Sequence, residues 1–161
     1  MRLPILDKLD KDLMACKKEL EVDIPKALKE AIALGDLSEN AEYKSAKERQ
    51  MFLESRISQL QKRIGDITSL NINQIAKDKS GLGSTLFLKD IETGEARTYK
   101  LVFPEEVDPD EGKISLASPL GKALFGKRKG DEVVISIQGG RKEYEVVQMT
   151  TIHEDTGESG L

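Results

Sequence analysis

Two carboxylates, Asp36 and Glu39, stand three residues apart in Gly35-Asp36-Leu37-Ser38-Glu39-Asn40-Ala41-Glu42. On a helix or a near-helical turn that spacing puts both side chains on one face, with Cβ atoms about 5–6 Å apart. Such a pair can hold a hard divalent cation weakly and leave its other positions to water and phosphate oxygens, which suits Mg²⁺. One carboxylate could also orient or deprotonate an attacking water. The pair cannot form a metal site alone, because too few ligands converge. The same residues also read as structure. Asp-x-x-Glu is close to a capping box, with Asp36 at the N-cap and Glu39 at the third helical position. Ser38 could cap equally well, with Glu39 and Glu42 favouring the helix dipole. Spacing alone leaves both readings open.

The elements that must position these residues are two long helical patterns. Leu9, Leu13, Cys16, Leu20, Ile24, Ala27, Ala31 and Leu34 recur at steps of three or four. Tyr43, Ala46, Gln50, Leu53, Ile57, Leu60, Ile64 and Ile67 do the same in strict alternation, a coiled-coil seam interrupted by the polar Gln50. Two such stripes joined by a short turn predict an antiparallel helical hairpin with the acids at its tip. About 27 residues per arm would span roughly 40 Å. Pro25 should kink the first arm or divide it.

Beyond Asn71 the pattern changes. The segment to Leu82 is polar and closes with Ser80-Gly81, and the hydrophobic period then becomes two. Strands are expected over 84–89, 96–103, 113–117, 132–137 and 142–149. Ser118-Pro119 should open a short helix, with Pro at the favoured first position. The fold class is therefore α+β in two domains. Residues 1–75 form the hairpin, 76–82 a linker, 83–150 a small antiparallel sheet with one short helix, and 151–161 a flexible tail.

Composition narrows the function classes. The 161 residues are 38% hydrophobic, 34% charged and 4% aromatic, with no Trp and a net charge of −4. That balance excludes a bulk polyanion binder and suits an exposed helical element with a modest core. The single Cys16 rules out an intramolecular disulfide and fits a reducing cytosol. No stretch approaches the roughly 20 apolar residues of a membrane span.

The tip, followed by Tyr43 and Ala46-Lys47-Glu48, resembles that of the bacterial Gre transcript-cleavage factors, the GreA type more than the GreB type. The resemblance continues through Gly83-Ser84-Thr85, Glu92-Thr93-Gly94, Glu111-Gly112-Lys113-Ile114-Ser115, Ser118-Pro119-Leu120-Gly121-Lys122-Ala123-Leu124, Gly126-Lys127 and Gly130-Asp131. It covers nearly the whole chain except the extreme termini. It implies an N-terminal coiled-coil hairpin and an FKBP-like C-terminal domain that docks on the rim of bacterial RNA polymerase. The hairpin would enter the secondary channel. There Asp36 and Glu39 would share a Mg²⁺ held by the polymerase and help place the attacking water, so that the polymerase cleaves backtracked RNA. The resemblance thus implies a cytoplasmic monomer with no nuclease activity and no cofactor of its own.

Further residues carry paired readings. Lys44 and Lys47 lie just behind the tip. The resemblance assigns a basic patch there to the RNA 3′ segment, while an ordinary solvated helix face would look the same. Ile32 stands where the family often has arginine or another polar residue. Ser118, Pro119 and Leu120 match the family's docking loop and equally read as a helix N-cap with Pro at the first position. Tyr43 reads as packing at the tip or as stacking near the active centre. Cys16 reads as core, and His153 as neither ligand nor base. Two rival functions remain: a Gre-like regulator that occupies the channel and inhibits, and a prolyl isomerase inferred from the FKBP-like domain. The intact Asp-Leu-Ser-Glu-Asn favours cleavage over the first rival. The second needs an aromatic-lined pocket, for which residues 83–149 offer only Phe87, Tyr99, Phe103, Phe125 and Tyr144.

Overall fold

The computed structural model describes residues 2–35, 39–137 and 139–154, and the chain divides into two units at Leu70/Asn71. The first unit is helical: α1 (Pro4–Lys18), a π-helical turn (Glu19–Asp23), α2 (Ile24–Ala33) and α3 (Ala41–Thr68). The π turn is the answer to Pro25. Proline has no N–H to return to the carbonyl four residues back, and its ring crowds that carbonyl. The chain widens by one residue just upstream, where the Ile24 N–H donates to the Glu19 carbonyl, and the arm continues without a break.

Both α1 and α2 pack against α3. The two arms run antiparallel, because Ala31 meets Asn40 while Glu19 meets Arg49. On α3 the buried residues are Ala46, Leu53, Leu60 and Ile67, one every seven residues, with Tyr43, Gln50, Ile57 and Ile64 half-buried between them. The expected stripe on the first arm is buried at Leu9, Ile24 and Ala31 and half-buried between them, but Leu34 is exposed. Leu3, Ile5 and Leu6 extend the buried face beyond the expected stripe. Glu19 and Arg49 clamp the arms together through two hydrogen bonds of 2.6 and 2.9 Å. The Arg49 guanidinium holds the Glu19 carboxyl below its ordinary range, and Glu19 raises Arg49 in return.

The second unit is a five-stranded sheet: β1 (Thr85–Asp90), β2 (Ala96–Val102), β3 (Lys113–Ser115), β4 (Glu132–Ile137) and β5 (Gly140–Thr150), in the order β3-β2-β1-β5-β4. One helix, α4 (Pro119–Leu124), connects β3 to β4 and packs against both. The sheet is mixed rather than wholly antiparallel, since β3 pairs with β2 in parallel. The chain leaves β2 through an acidic loop of two short 3₁₀ turns and comes back in the same direction, so a hairpin return is impossible there. Alternation puts Leu86, Leu88, Leu101, Val133, Ile135, Tyr144 and Val146 on one face, where they form a core with Leu124.

Residues 76–82, expected as a linker, belong to this unit. Ser80 is buried, its Oγ donates to the Leu124 carbonyl, and it accepts from the Lys127 N–H at 2.7 Å. The tail also starts later than expected. Thr151 and Ile152 are buried, and an imidazole nitrogen of His153 lies 2.8 Å from the Ile75 carbonyl oxygen, a structural contact.

Candidate functional site

Helix α3 begins at Ala41 because Asn40 caps it. The Asn40 backbone is extended (φ −82°, ψ 105°), and its Oδ1 accepts from the Tyr43 N–H at 3.0 Å. Its Nδ2 donates to the Ala31 carbonyl at the end of α2. One amide thus satisfies an orphan donor of α3 and adds a second donor to the Ala31 carbonyl, which already accepts from the Leu34 N–H at 3.1 Å, so it fastens the end of α2 to the start of α3. This outcome differs from both capping arrangements that the spacing allowed. Glu39 precedes the N-cap, outside the helix, and the third helical position belongs to Tyr43. Glu39 therefore lies outside α3 and is not the acid of a capping box on that helix. Its side chain is exposed. Asp36 and Ser38 lie outside the described residues, so the separation of the two carboxylates is not part of this geometry.

Behind the cap, Lys44 and Lys47 are exposed on α3. Lys47 donates to Gln50 Oε1 at 3.3 Å and sits 5.9 Å from the centre of the Tyr43 ring. Tyr43 is half-buried, as its packing role requires, and its ring also carries this cation. Ile32 is 54% exposed at the end of the first arm, so an apolar side chain faces solvent where a cation would extend the patch. Cys16 is half-buried.

In the second unit Ser118 caps α4: its Oγ accepts from the Gly121 N–H at 3.0 Å and donates to the Ser115 carbonyl at 2.7 Å. Gly121 allows this helix start. A Cβ there would lie 2.0 Å from the Ser115 carbonyl oxygen, closer than any side chain could tolerate. Pro119 is exposed, whereas Leu120 is half-buried and packed against the sheet core. Of Ser118, Pro119 and Leu120, Pro119 alone is exposed.

Tyr99 and Tyr144 share the sheet core, whereas Phe87 and Phe125 are exposed. Tyr144 is buried on the inner face of the sheet, Phe87 points from the opposite face, and Phe125 is 55% exposed just past α4. Sequence reasoning missed two anchors. The first is the Asn40 cap, hidden among several residues of cap type. The second is Asp90, which organises the Glu92-Thr93-Gly94 turn by accepting from the Glu92 and Thr93 N–H groups at 2.8 and 3.1 Å. The bond from Thr93 holds its carboxyl below the ordinary aspartate range, with Glu92 and Lys142 adding to the effect. The only sequence signal was an Asp placed two residues before the turn.

Comparison with known proteins places both units. Residues 5–68 match the family model described as transcription elongation factor, N-terminal, and residues 75–151 match that of transcription elongation factor, GreA/GreB, C-terminal. The chain is similar to transcription elongation factor GreA of Nitratidesulfovibrio vulgaris, 41% identical over 143 residues, which is 89% of each chain. It is also similar to GreA of Anaeromyxobacter sp., 40% identical over 150 residues, 93% of this chain and 90% of that one. Among solved structures, GreA factor homolog 1 (Gfh1) of Thermus thermophilus is 31% identical, covering 89% of this chain and 93% of that one, with a TM-score of 0.42.

Proposed function

The chain belongs to the GreA/GreB family of transcription elongation factors, and from that premise we propose that it rescues arrested bacterial RNA polymerase by stimulating cleavage of backtracked RNA. The second unit, read as an FKBP-like domain, docks on the polymerase rim through the start of α4, with Pro119 as its exposed contact and Ser118 and Leu120 holding the loop in place. The helical unit, read as a coiled coil, enters the secondary channel. The observation that carries this reading is the division of labour at the tip. Asn40 performs the capping, so Glu39 is left exposed and uninvolved in the cap.

A carboxylate that the fold does not use is available to a site on another molecule. Glu39, with Asp36, would lend oxygens to a Mg²⁺ ion in the polymerase's active centre. Bound there, such an ion lowers the pKa of an attacking water and stabilises the oxygens of an in-line displacement. Glu39 would orient that water, and Lys44 and Lys47 would face the phosphates of the RNA 3′ segment. The polymerase supplies the remaining ligands and the bond-breaking machinery. The protein thus acts as a cytoplasmic monomer with no nuclease activity of its own.

The test is RNA cleavage in a stalled, backtracked elongation complex with and without this protein. Faster release of the 3′ fragment, and intact RNA when the polymerase is omitted, are expected. Binding to the polymerase without any gain in cleavage would overturn the reading in favour of an inhibitory channel occupant.

A further inference from the structure

The second unit is strongly polarised. Residues 76–161 carry 12 basic and 16 acidic side chains, yet the charges are segregated. The loop from Pro104 to Gly112, which leads into edge strand β3, holds Glu105, Glu106, Asp108, Asp110 and Glu111 and no cation. The opposite edge strand, β4, is entered through Gly126-Lys127-Arg128-Lys129-Gly130. Beside that loop runs Lys77-Asp78-Lys79-Ser80. The two segments are fastened by the Ser80 N–H to the Lys127 carbonyl (2.7 Å), the Gly126 N–H to the Ser80 carbonyl (2.9 Å) and Arg128 to Asp78 (3.0 Å). Five cations therefore share one edge.

Two acids of these segments, Asp78 and Asp131, are engaged by Arg128, and Glu132 follows exposed at the start of β4. Asp78 accepts from the Arg128 guanidinium, and Asp131 from the Arg128 backbone N–H. Among the described residues no carboxylate pairs with Lys77, Lys79, Lys127 or Lys129. At the same edge the Phe125 ring packs along Gly81 while remaining 55% exposed. A large exposed aromatic among unpaired lysines has no role in the core. Cations that track phosphates and an aromatic face on which a base can stack are the two parts of a single-strand binding platform. An acidic protein surface would use the lysines but would leave the ring unused.

We propose that this edge binds single-stranded nucleic acid, with Lys77, Lys79, Lys127 and Lys129 on backbone phosphates and a base stacked on Phe125. The site is separate from the Lys44/Lys47 face of the hairpin and needs no polymerase.

Fluorescence anisotropy of the full chain tests it, using a labelled single strand of about 12 nucleotides, within the span of known single-strand platforms. RNA and DNA arms separate the two sources, and a duplex and a polyglutamate peptide are the competitors. For four neutralised phosphates log Kd should change with log salt by about 3 units per decade. The double substitution Lys127→Gln/Lys129→Gln should lower that slope by about 1.4. Phe125→Ala should weaken single-strand binding about tenfold, and Phe125→Trp should restore it with unchanged circular dichroism. Lys44→Gln/Lys47→Gln should leave most of the affinity in place. Equal binding by the parent and both edge variants would overturn the proposal. Polyglutamate displacing the strand with no Phe125 dependence would also overturn it, in favour of an acidic protein partner.

Discussion

The hairpin and the sheet unit use their polar residues in opposite ways. Among the described residues the buried polar ones, Ser80, Ser84, Asp90 and Thr151, all belong to the sheet unit. Ser80 ties two loops together, Ser84 accepts from the Gly81 N–H at 2.9 Å, and Asp90 builds a turn. In the hairpin the buried stripe is apolar, and the polar contacts lie at its rim and its end: Glu19 with Arg49, and Asn40 with Tyr43 and Ala31. A two-helix unit has only a narrow seam to bury, so most of its polar side chains stay in water. The lesson is that tip charges such as Glu39 and Lys44 stay in water, whereas the Ser80, Ser84 and Asp90 side chains of the sheet unit are committed to folding.

The sharpest way to break that contrast is to empty the hairpin seam. Leu53→Ala deletes a fully buried side chain and should cost about 2–5 kcal/mol. Denaturant titration followed by helical circular dichroism should show the earlier midpoint, while amide exchange in β1 and β5 stays slow. A smaller loss should follow Ser80→Ala. It strands the Lys127 N–H and frees the Leu124 carbonyl, at about 1–3 kcal/mol. Exchange at the Lys127 amide should accelerate with helicity unchanged.

Asn40→Ala should cost about 1 kcal/mol, read as a lower melting temperature and fraying of the first turn of α3. Asn40→Asp should recover the cap through its retained oxygen but not the bond to the Ala31 carbonyl. The smallest effect is one of pH. Asp90 has a depressed folded-state pKa, so its stabilisation is present above the ordinary aspartate value and is lost as pH falls through the depressed one. Asp90→Asn keeps an acceptor for Glu92 and Thr93 but does not titrate. Its unfolding midpoint should therefore fall less than the parent's between pH 6 and pH 3.

The same contrast governs what could be read from the sequence. The α3 seam was legible to the residue, because heptad spacing is a direct image of one-sided burial. Leu34 failed because its arm ends at Ala33 and periodicity carries no stop signal of its own. The sequence offered Asp36 and Ser38 as caps, and the start of α3 at Ala41 selects Asn40 instead. Residues 76–82 read as a tether because Ser80 is polar, yet that hydroxyl is buried by hydrogen bonds made to residues more than 40 positions away. The parallel β2–β3 pair was illegible for another reason. Alternation fixes which face a residue occupies and says nothing of strand direction. Leu120 read only as part of a docking loop or a helix start, and its local sequence does not reveal the sheet core it packs against.

The central claim is that the tip carboxylate belongs to the partner's chemistry and not to the hairpin's stability. The most direct test is the stimulated cleavage rate of a backtracked elongation complex with Glu39→Ala at saturating concentration. The account expects a loss on the order of 10²-fold, the several kcal/mol of charge stabilisation that a metal-centred site supplies, with the melting temperature of the free protein unchanged. Cleavage at the parent rate, or a loss explained by a melted α3, would contradict it.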